Sequence, residues 1–439
     1  MEHTMKQNWR CFAAGVVLLT LAVSPSPLSA ETYSLEDLYQ IALASSEKLK
    51  LAEQNIALAK IGADKAISYL YPRLTTTGSL THYSERKYTG AGSILQPDSA
   101  SAWGIRLDET LSLSGREFKA IDISRQLVDS SRLDVEAARE DYLLRYVAAA
   151  YYDVLLASRR LEIAEASVER LTRYRNAAEK RLRIGEVTKT TLLRAESELS
   201  GAESERVEAK NAVELAIAIL ASHVGIQAPF TLKPAPLERV EIPGLPDLQR
   251  QAMSNRADIK SLEMQKQIAA QQIRFTEGAF WPTMTLTGAY AGADQNPASA
   301  NLNRHSLYGG IALNFPLFDG GLRKAEVSEA RVRERQIDLQ LEDLKKEMAV
   351  EVKAAYLELA TQQEILRFLE DQLLYARENY RAVSRQFDFG LADSLDVIDA
   401  NTLLASAEKK AASAVCQVQL ALLRLKKAVG MLLPDATTP

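Results

Sequence analysis

The chain repeats itself, and the repeat restricts what it can fold into. Residues 42–80, "ALASSEKLKLAEQNIALAKIGADKAISYLYPRLTTTGSL", align without a gap on residues 252–290, "AMSNRADIKSLEMQKQIAAQQIRFTEGAFWPTMTLTGAY", at an offset of 210. Ala42 meets Ala252, Lys50 meets Lys260, Pro72 meets Pro282 and Gly78 meets Gly288. Further on the offset is 205: "AAYYDV" at Ala149 meets "AAYLEL" at Ala354, Gly185 meets Gly390, and Val224-Gly225 meets Val429-Gly430. A fold built on this sequence must use one set of secondary-structure elements twice.

Each half contains a very long helix. Residues 116–183 and 322–389 hold no proline and no glycine. At about 1.5 Å per residue such a run makes a rod of roughly 100 Å. In the second run apolar or small residues recur every three or four positions from 337 to 387, with Gln362 the polar exception. One extra-long step falls near Val352. That is a coiled-coil seam with a single stutter. Each rod breaks at Gly185 or Gly390 and folds back into a second helix of about 35 residues, an antiparallel hairpin.

The expected boundaries follow. Residues 1–30 read as a signal peptide: Lys6 and Arg10, an apolar run from Phe12 to Val23, then "SPSPLSA" before Glu31. Residues 31–225 form the first repeat: a helix, strands at about 73–84 and 102–113, a helix over 115–183 and another over 187–223. A proline-rich linker covers 226–247. Residues 248–430 repeat the plan, with strands at about 283–292 and 306–317 and helices over 320–388 and 392–428, and 431–439 is a tail. Cys416 alone remains after the signal, so no disulfide framework is expected. A net charge of −4 gives no basic face for nucleic acid.

The strands carry the membrane signal. "AWGIRLDETLSL" alternates Trp103, Ile105, Leu107, Leu111 and Leu113 with polar or small residues, and only Glu109 breaks the apolar set. "LYGGIALNFPLF" alternates Leu307, Ile311, Leu313, Phe315 and Leu317. Strands of about 10 residues with one apolar face suit a transmembrane barrel. They equally suit a surface hairpin resting on a core. Four strands cannot close a membrane barrel, since known ones start at about 8. Either the strands are soluble or several chains share one barrel.

Together these features resemble the TolC family of outer-membrane efflux and secretion channels, over essentially the whole mature chain. The resemblance rests on the tandem repeat, on Pro72 and Pro282 where helix gives way to strand, on "SNRADIK" (Ser254 to Lys260), and on "GLADSLDVIDANTLLASAE" from Gly390. "SNRADIK" is close to the family's Asn-Arg-Pro-Asp-Leu, with Ala257 in place of proline. The resemblance implies a mainly α fold with a small β part: a homotrimer whose helical hairpins form a tunnel and whose strands, four per chain, make a 12-stranded barrel. It also implies outer-membrane lipid around the barrel, a periplasmic adaptor and an inner-membrane pump as partners, and no cofactor.

"GLADSLDVIDA" (Gly390 to Ala400) holds the candidate site. Asp393 sits where an N-cap belongs, and Asp396, three residues later, suits the positive end of the helix dipole. Asp399 lies beyond that first turn. The first repeat has Thr188, Thr191 and Arg194 at the matching places, so the fold does not demand the later carboxylates. Leu391, Leu395 and Ile398 are expected as the apolar stripe, with Asp396 and Asp399 about 100° around the helix. In the family such positions ring the periplasmic opening, and three chains would bring six carboxylates to a narrow, cation-favouring aperture. Arg194 is a candidate partner for Asp399. Gly185, Val187, Thr188, Gly390, Leu391 and Asp393 are the expected turns, which the resemblance makes adaptor contacts. A glycine break between helices needs no partner, so plain turns are the alternative. The family's polar latch positions correspond to Thr191, Phe387 and Ala392, which cannot form an ionic latch.

Nothing in the pattern favours an enzyme. No histidine or cysteine accompanies the aspartates, and His3, His82, His223 and His305 are scattered. No phosphate-binding glycine loop, nucleophile motif or metal set appears. The expected function is the exit duct of a tripartite efflux pump for small molecules. A type I secretion duct is the first alternative and an exported coiled-coil scaffold the second.

Overall fold

The computed structural model describes residues 32–234, 242–299 and 302–433. The expected signal peptide, part of the linker and the end of the tail lie outside these residues. In the first half, β1 (Thr32–Tyr33) leads to α1 (Leu35–Ser45) and α2 (Glu47–Ser68), then β2 (Arg73–His82), the small strands β3 (Lys87–Tyr88) and β4 (Ile94–Gln96), and β5 (Ser99–Ser112). Next come α3 (Arg116–Tyr142), a π-helical segment (Leu143–Ala148), α4 (Ala149–Arg183) and α5 (Lys189–Val224). After β6 (Thr231–Leu232) the second half runs through α6 (Leu245–Asn255), α7 (Ala257–Glu277), β7 (Thr283–Asn296), β8 (His305–Asn314), α8 (Leu322–Asp388) and α9 (Ser394–Ala428).

The two rods are not equivalent. α8 is one helix of 67 residues. Its counterpart is interrupted at Leu143–Ala148 by the π segment. At the repeat offset of 205 this segment falls on residues 348–353, where the coiled-coil pattern stutters. An inserted step in a heptad pattern must be absorbed by local unwinding or by a bulge. The first half takes the bulge, and α8 absorbs the step without one.

Both places are the best-packed parts of the chain. Leu143, Val147 and Ala148 are fully buried with Leu38, Leu49 and Leu220. Met348 and Val352 are buried with Leu248, Ile259 and Leu425. Short α1 and α6 supply the apolar residues that thicken the molecule there. The Val-Gly pairs of the repeat serve these junctions. A Cβ on Gly225 would lie 2.9 Å from Ser45 Oγ, and one on Gly430 would lie 2.9 Å from the Arg256 backbone nitrogen. Arg256, at the joint of α6 and α7, is buried and pairs with Asp258 at 2.6 Å and with Glu351 at 2.5 Å. The "SNRADIK" motif is thus a charged staple from the α6–α7 joint to α8.

The four long strands form one antiparallel sheet in the order β2-β5-β7-β8. Register puts Leu107 between Leu74 and Gly288, Ile105 beside Tyr290, and Leu111 beside Met284. Tyr290 then pairs Leu307, and Met284 pairs Leu313. All the apolar residues therefore share one face. Leu74, Leu80, Leu307, Ile311 and Leu313 are exposed by 64% or more, so nothing among the described residues covers that face. Trp103, Tyr290 and His305 cluster on it partway along the strands, and Phe315 and Phe318 stand exposed just past the end of β8. Strands β2 and β8 are open edges within the chain. No described helix is long and apolar enough to cross a membrane.

Candidate functional site at the hairpin tips

The two tips are built alike. After α4, Gly185 takes φ +78°, and the Glu186 N–H donates to Arg181 O at 2.9 Å. After α8, Gly390 takes φ +74°, and the Leu391 N–H donates to Gln386 O at 2.8 Å. Both close their helices through a left-handed residue that favours glycine. The chain then re-enters a helix at Thr188, whose hydroxyl accepts from the Thr191 N–H at 3.3 Å. In the second tip Asp393 plays that part. Its carboxylate accepts from the N–H groups of Leu395 and Asp396 at 2.7 and 3.0 Å.

Asp396 completes the cap. Its Oδ2 accepts from the Asp393 N–H at 3.0 Å, a reciprocal capping box. Asp396 therefore has a structural task, yet it stays exposed, as does Asp399. The expected apolar stripe holds at Ile398 and is corrected at its two leucines. Leu391 is 80% exposed and Leu395 40% exposed. The buried stripe runs instead through Val397, Ile398, Asn401 and Leu404. The face packed on α4 begins about one residue later than the leucines suggest, because Tyr174 and Phe387 already fill the space at the turn. No ion pair or hydrogen bond joins Arg194 to Asp399 among the described residues. Val187 is half-buried, whereas Gly185, Thr188, Gly390, Leu391 and Asp393 are exposed. Large apolar side chains stand out beside them: Ile184 is 69% exposed and Phe389 80%.

Sequence reasoning missed the groups that join the hairpins. Arg181, on α4, lies with its guanidinium 4.3 Å from the Phe387 ring centroid. It donates to the carbonyl oxygens of Asp388, at 3.0 Å, and Phe387. These are orphan acceptors at the end of α8, where a cation is favoured by the helix dipole. Tyr174 packs on Phe387 at 5.2 Å, and burial pushes its hydroxyl pKa up. Higher up, Arg170 Nε donates to Asn401 Oδ1 at 2.7 Å and faces Glu408 at 3.6 Å. Asn401 in turn donates to Ser167 Oγ at 3.3 Å. Thr191, Phe387 and Ala392 form no ionic latch, yet Phe387 is the anvil on which Arg181 rests. The sequence signal was present: cations at 170 and 181 lie on the seam side of α4, where an unpaired charge would be costly.

A sequence profile of the family described as "Outer membrane efflux protein" matches residues 38–225 and 248–431, one match per repeat. "Outer membrane protein TolC" of Escherichia coli strain K12 is 21% identical over 439 residues, covering 95% of this chain and 86% of that protein. "Cation efflux system protein CusC" of Escherichia coli O6:H1 is 24% identical over 384 residues, covering 83% of this chain and 78% of that protein. The Campylobacter jejuni CmeC outer membrane channel superposes with a TM-score of 0.78 at 16% identity, over 99% of this chain and 96% of that one. With both halves matched and the repeat, sheet and hairpins in place, the chain belongs to the outer membrane efflux protein family, that of the TolC-like outer-membrane channels.

Proposed function

We propose that the protein works as a homotrimeric exit duct of a tripartite efflux pump, carrying small molecules across the periplasm and outer membrane. One observation carries this reading. A four-stranded sheet with an apolar face bare among the described residues and two open edges continues into helical rods about 100 Å long. An exposed apolar sheet with free edges is unstable in water, and closure with further copies in lipid removes both liabilities. Pro72 and Pro282, just ahead of β2 and β7, then mark the change from tunnel to barrel.

The exposed tips, with Ile184, Phe389 and Leu391, suit docking to a periplasmic adaptor bound to an inner-membrane pump. Asp396 and Asp399 line the aperture and favour cations. The test is conductance of the purified trimer in a planar bilayer, with a trivalent cation added on the tip side. Block is expected in the wild type and weakened in Asp396→Ala/Asp399→Ala. Equal block in both would remove the aspartates from the aperture.

A further inference from the structure

The second face of the sheet carries a charge pattern of its own. Opposite the apolar face, β2, β5, β7 and β8 present Thr, Ser, Ala, Gly, Asn, Gln and Tyr308, with three exceptions. Arg73, Arg106 and Asp108 are the charged residues of that face among the described strands. Register gathers them in two neighbouring rows. Arg73 pairs Asp108, which pairs Thr287. Thr75 pairs Arg106, which pairs Ala289, which pairs Tyr308. Within the strands, the rows nearer β3 and β4 hold only neutral side chains, and Arg304 stands just before β8, where its carbonyl accepts from the Ala293 N–H at 3.1 Å.

The single carboxylate is already engaged. Arg106 Nε lies 2.8 Å from Asp108, and Thr287 Oγ1 donates to Asp108 at 2.8 Å. Arg106 keeps its side chain 57% exposed, so its outer N–H groups remain available. The Arg73 side chain is exposed and makes no hydrogen bond or ion pair among the described residues. Each chain therefore brings one uncompensated positive charge to this level, on a face otherwise neutral.

We propose that Arg73 and Arg106 form an anion-binding collar inside the barrel, taking polyvalent anions such as phosphate- or carboxylate-bearing solutes. The proposal rests on the trimeric channel reading, in which the apolar face meets lipid and this face lines the lumen. Three chains would then set six guanidinium groups against three carboxylates around one wall. A ring of arginines between low-dielectric walls concentrates anions, and the planar guanidinium fork matches phosphate and carboxylate oxygens. The duct thus carries opposite signs at two levels: carboxylates at the tips, guanidinium groups in the barrel.

The test uses the full trimer in a planar bilayer, with inorganic tripolyphosphate added on the barrel side. Wild-type conductance should fall with tripolyphosphate concentration. Arg73→Gln/Arg106→Gln should raise the half-blocking concentration about tenfold or more. The charge-keeping Arg73→Lys/Arg106→Lys should retain most of the block, and Asp108→Asn should strengthen it. If the double glutamine variant does not insert, Arg73→Gln alone reads the same effect from the sheet edge. Conductance indifferent to tripolyphosphate, or equal block of wild type and glutamine variant, overturns the collar and leaves the channel standing. A folded trimer without any conductance overturns both.

Discussion

The guanidinium of Arg181 closes the end of α8 from the neighbouring hairpin, resting 4.3 Å from the Phe387 ring centroid and donating to Asp388 O at 3.0 Å. It is one of several polar links between the hairpins and lies nearest the tips. Tyr174 to Ser394 O, at 3.4 Å, and Arg170 to Asn401, at 2.7 Å, lie above it. If the tips part when the duct opens, this contact breaks first.

Arg181→Ala should therefore favour the open tip. A charge-assisted hydrogen bond is worth about 1.5–3 kcal/mol where it is shielded. This one is part-exposed, so about 1 kcal/mol is the fair figure, or roughly a fivefold rise in open probability. Single-channel recording checks it. Arg181→Lys keeps the charge but loses the fork, and should fall between. An unchanged open probability in the alanine variant would make the contact a mere surface cap.

Arg170 and Glu408 are a harder case, because both are largely shielded, with side-chain exposures of 13% and 16%. Glu408→Ala leaves the guanidinium with Asn401 and the face of the Tyr380 ring, 5.7 Å from its centroid. The expected cost is about 3 kcal/mol, the lower end of the range for breaking a buried pair. Replacing both with apolar residues, Arg170→Met/Glu408→Leu, should recover most of the loss. Thermal denaturation followed by circular dichroism reads both. If the double variant is as weak as the single one, packing and not the unpaired charge sets the cost.

The aspartates can be separated by their tasks. Asp393→Ala removes the cap acceptor and should lower stability by about 1 kcal/mol, with cation block unchanged. Asp399→Ala should weaken block with stability unchanged. Asp396→Ala should do both, since this carboxylate is half of the capping box and also exposed. Block and denaturation measured on the same three variants give a pattern that a purely capping role for Asp396 would not produce.

Much of this was legible in the chain. The repeat, the proline-free rods and the alternation of Trp103, Ile105 and Leu107 report backbone periodicity, which sequence carries directly. The packed stripe of α9 is legible at Ile398 only: Leu391, in the turn, and Leu395 look like core residues, but Tyr174 and Phe387 occupy the core there. The break of the first rod at Leu143–Ala148 was hidden as well: its stutter shows in the pattern of α8, but which half bulges depends on packing against α1 and α6. The links of Arg170 and Arg181 join residues more than 200 positions apart, beyond the reach of any local pattern.

The staple at Arg256 predicts an acid response. Burial opposes ionisation of Asp258, but Arg256 at 2.6 Å and the Ile259 N–H outweigh it and hold the carboxyl below its ordinary 3.8. With the folded pKa below the unfolded one, the stabilisation is complete above the unfolded value. It is lost as pH falls through the folded one. Asp258→Asn should thus be less stable than wild type at neutral pH, and the two stability curves should converge below about pH 4. Chemical denaturation at a series of pH values tests this. A constant gap down to the most acidic point would place the effect in packing.

The sheet offers a final, steric prediction. Trp103 lies flat over Gly292, its cross-strand partner, so that a Cβ there would stand 2.5 Å from the indole. The indole in turn meets Tyr290 edge-on at 5.4 Å and His305 at 6.3 Å. These three rings pack across β5, β7 and β8 on the apolar face. Gly292→Ala must push the indole off its seat. Forcing a side chain against a filled position costs about 1–3 kcal/mol. Gly292→Val adds two methyl groups to the same clash and should prevent the cluster from forming. The expected result is a graded loss of heat-resistant trimer on gels, wild type above alanine above valine. Trp103→Ala/Gly292→Val, which empties the seat, should recover trimer relative to Gly292→Val alone. Failure of that rescue would mean that residue 292 needs glycine for its backbone, not for the ring laid across it.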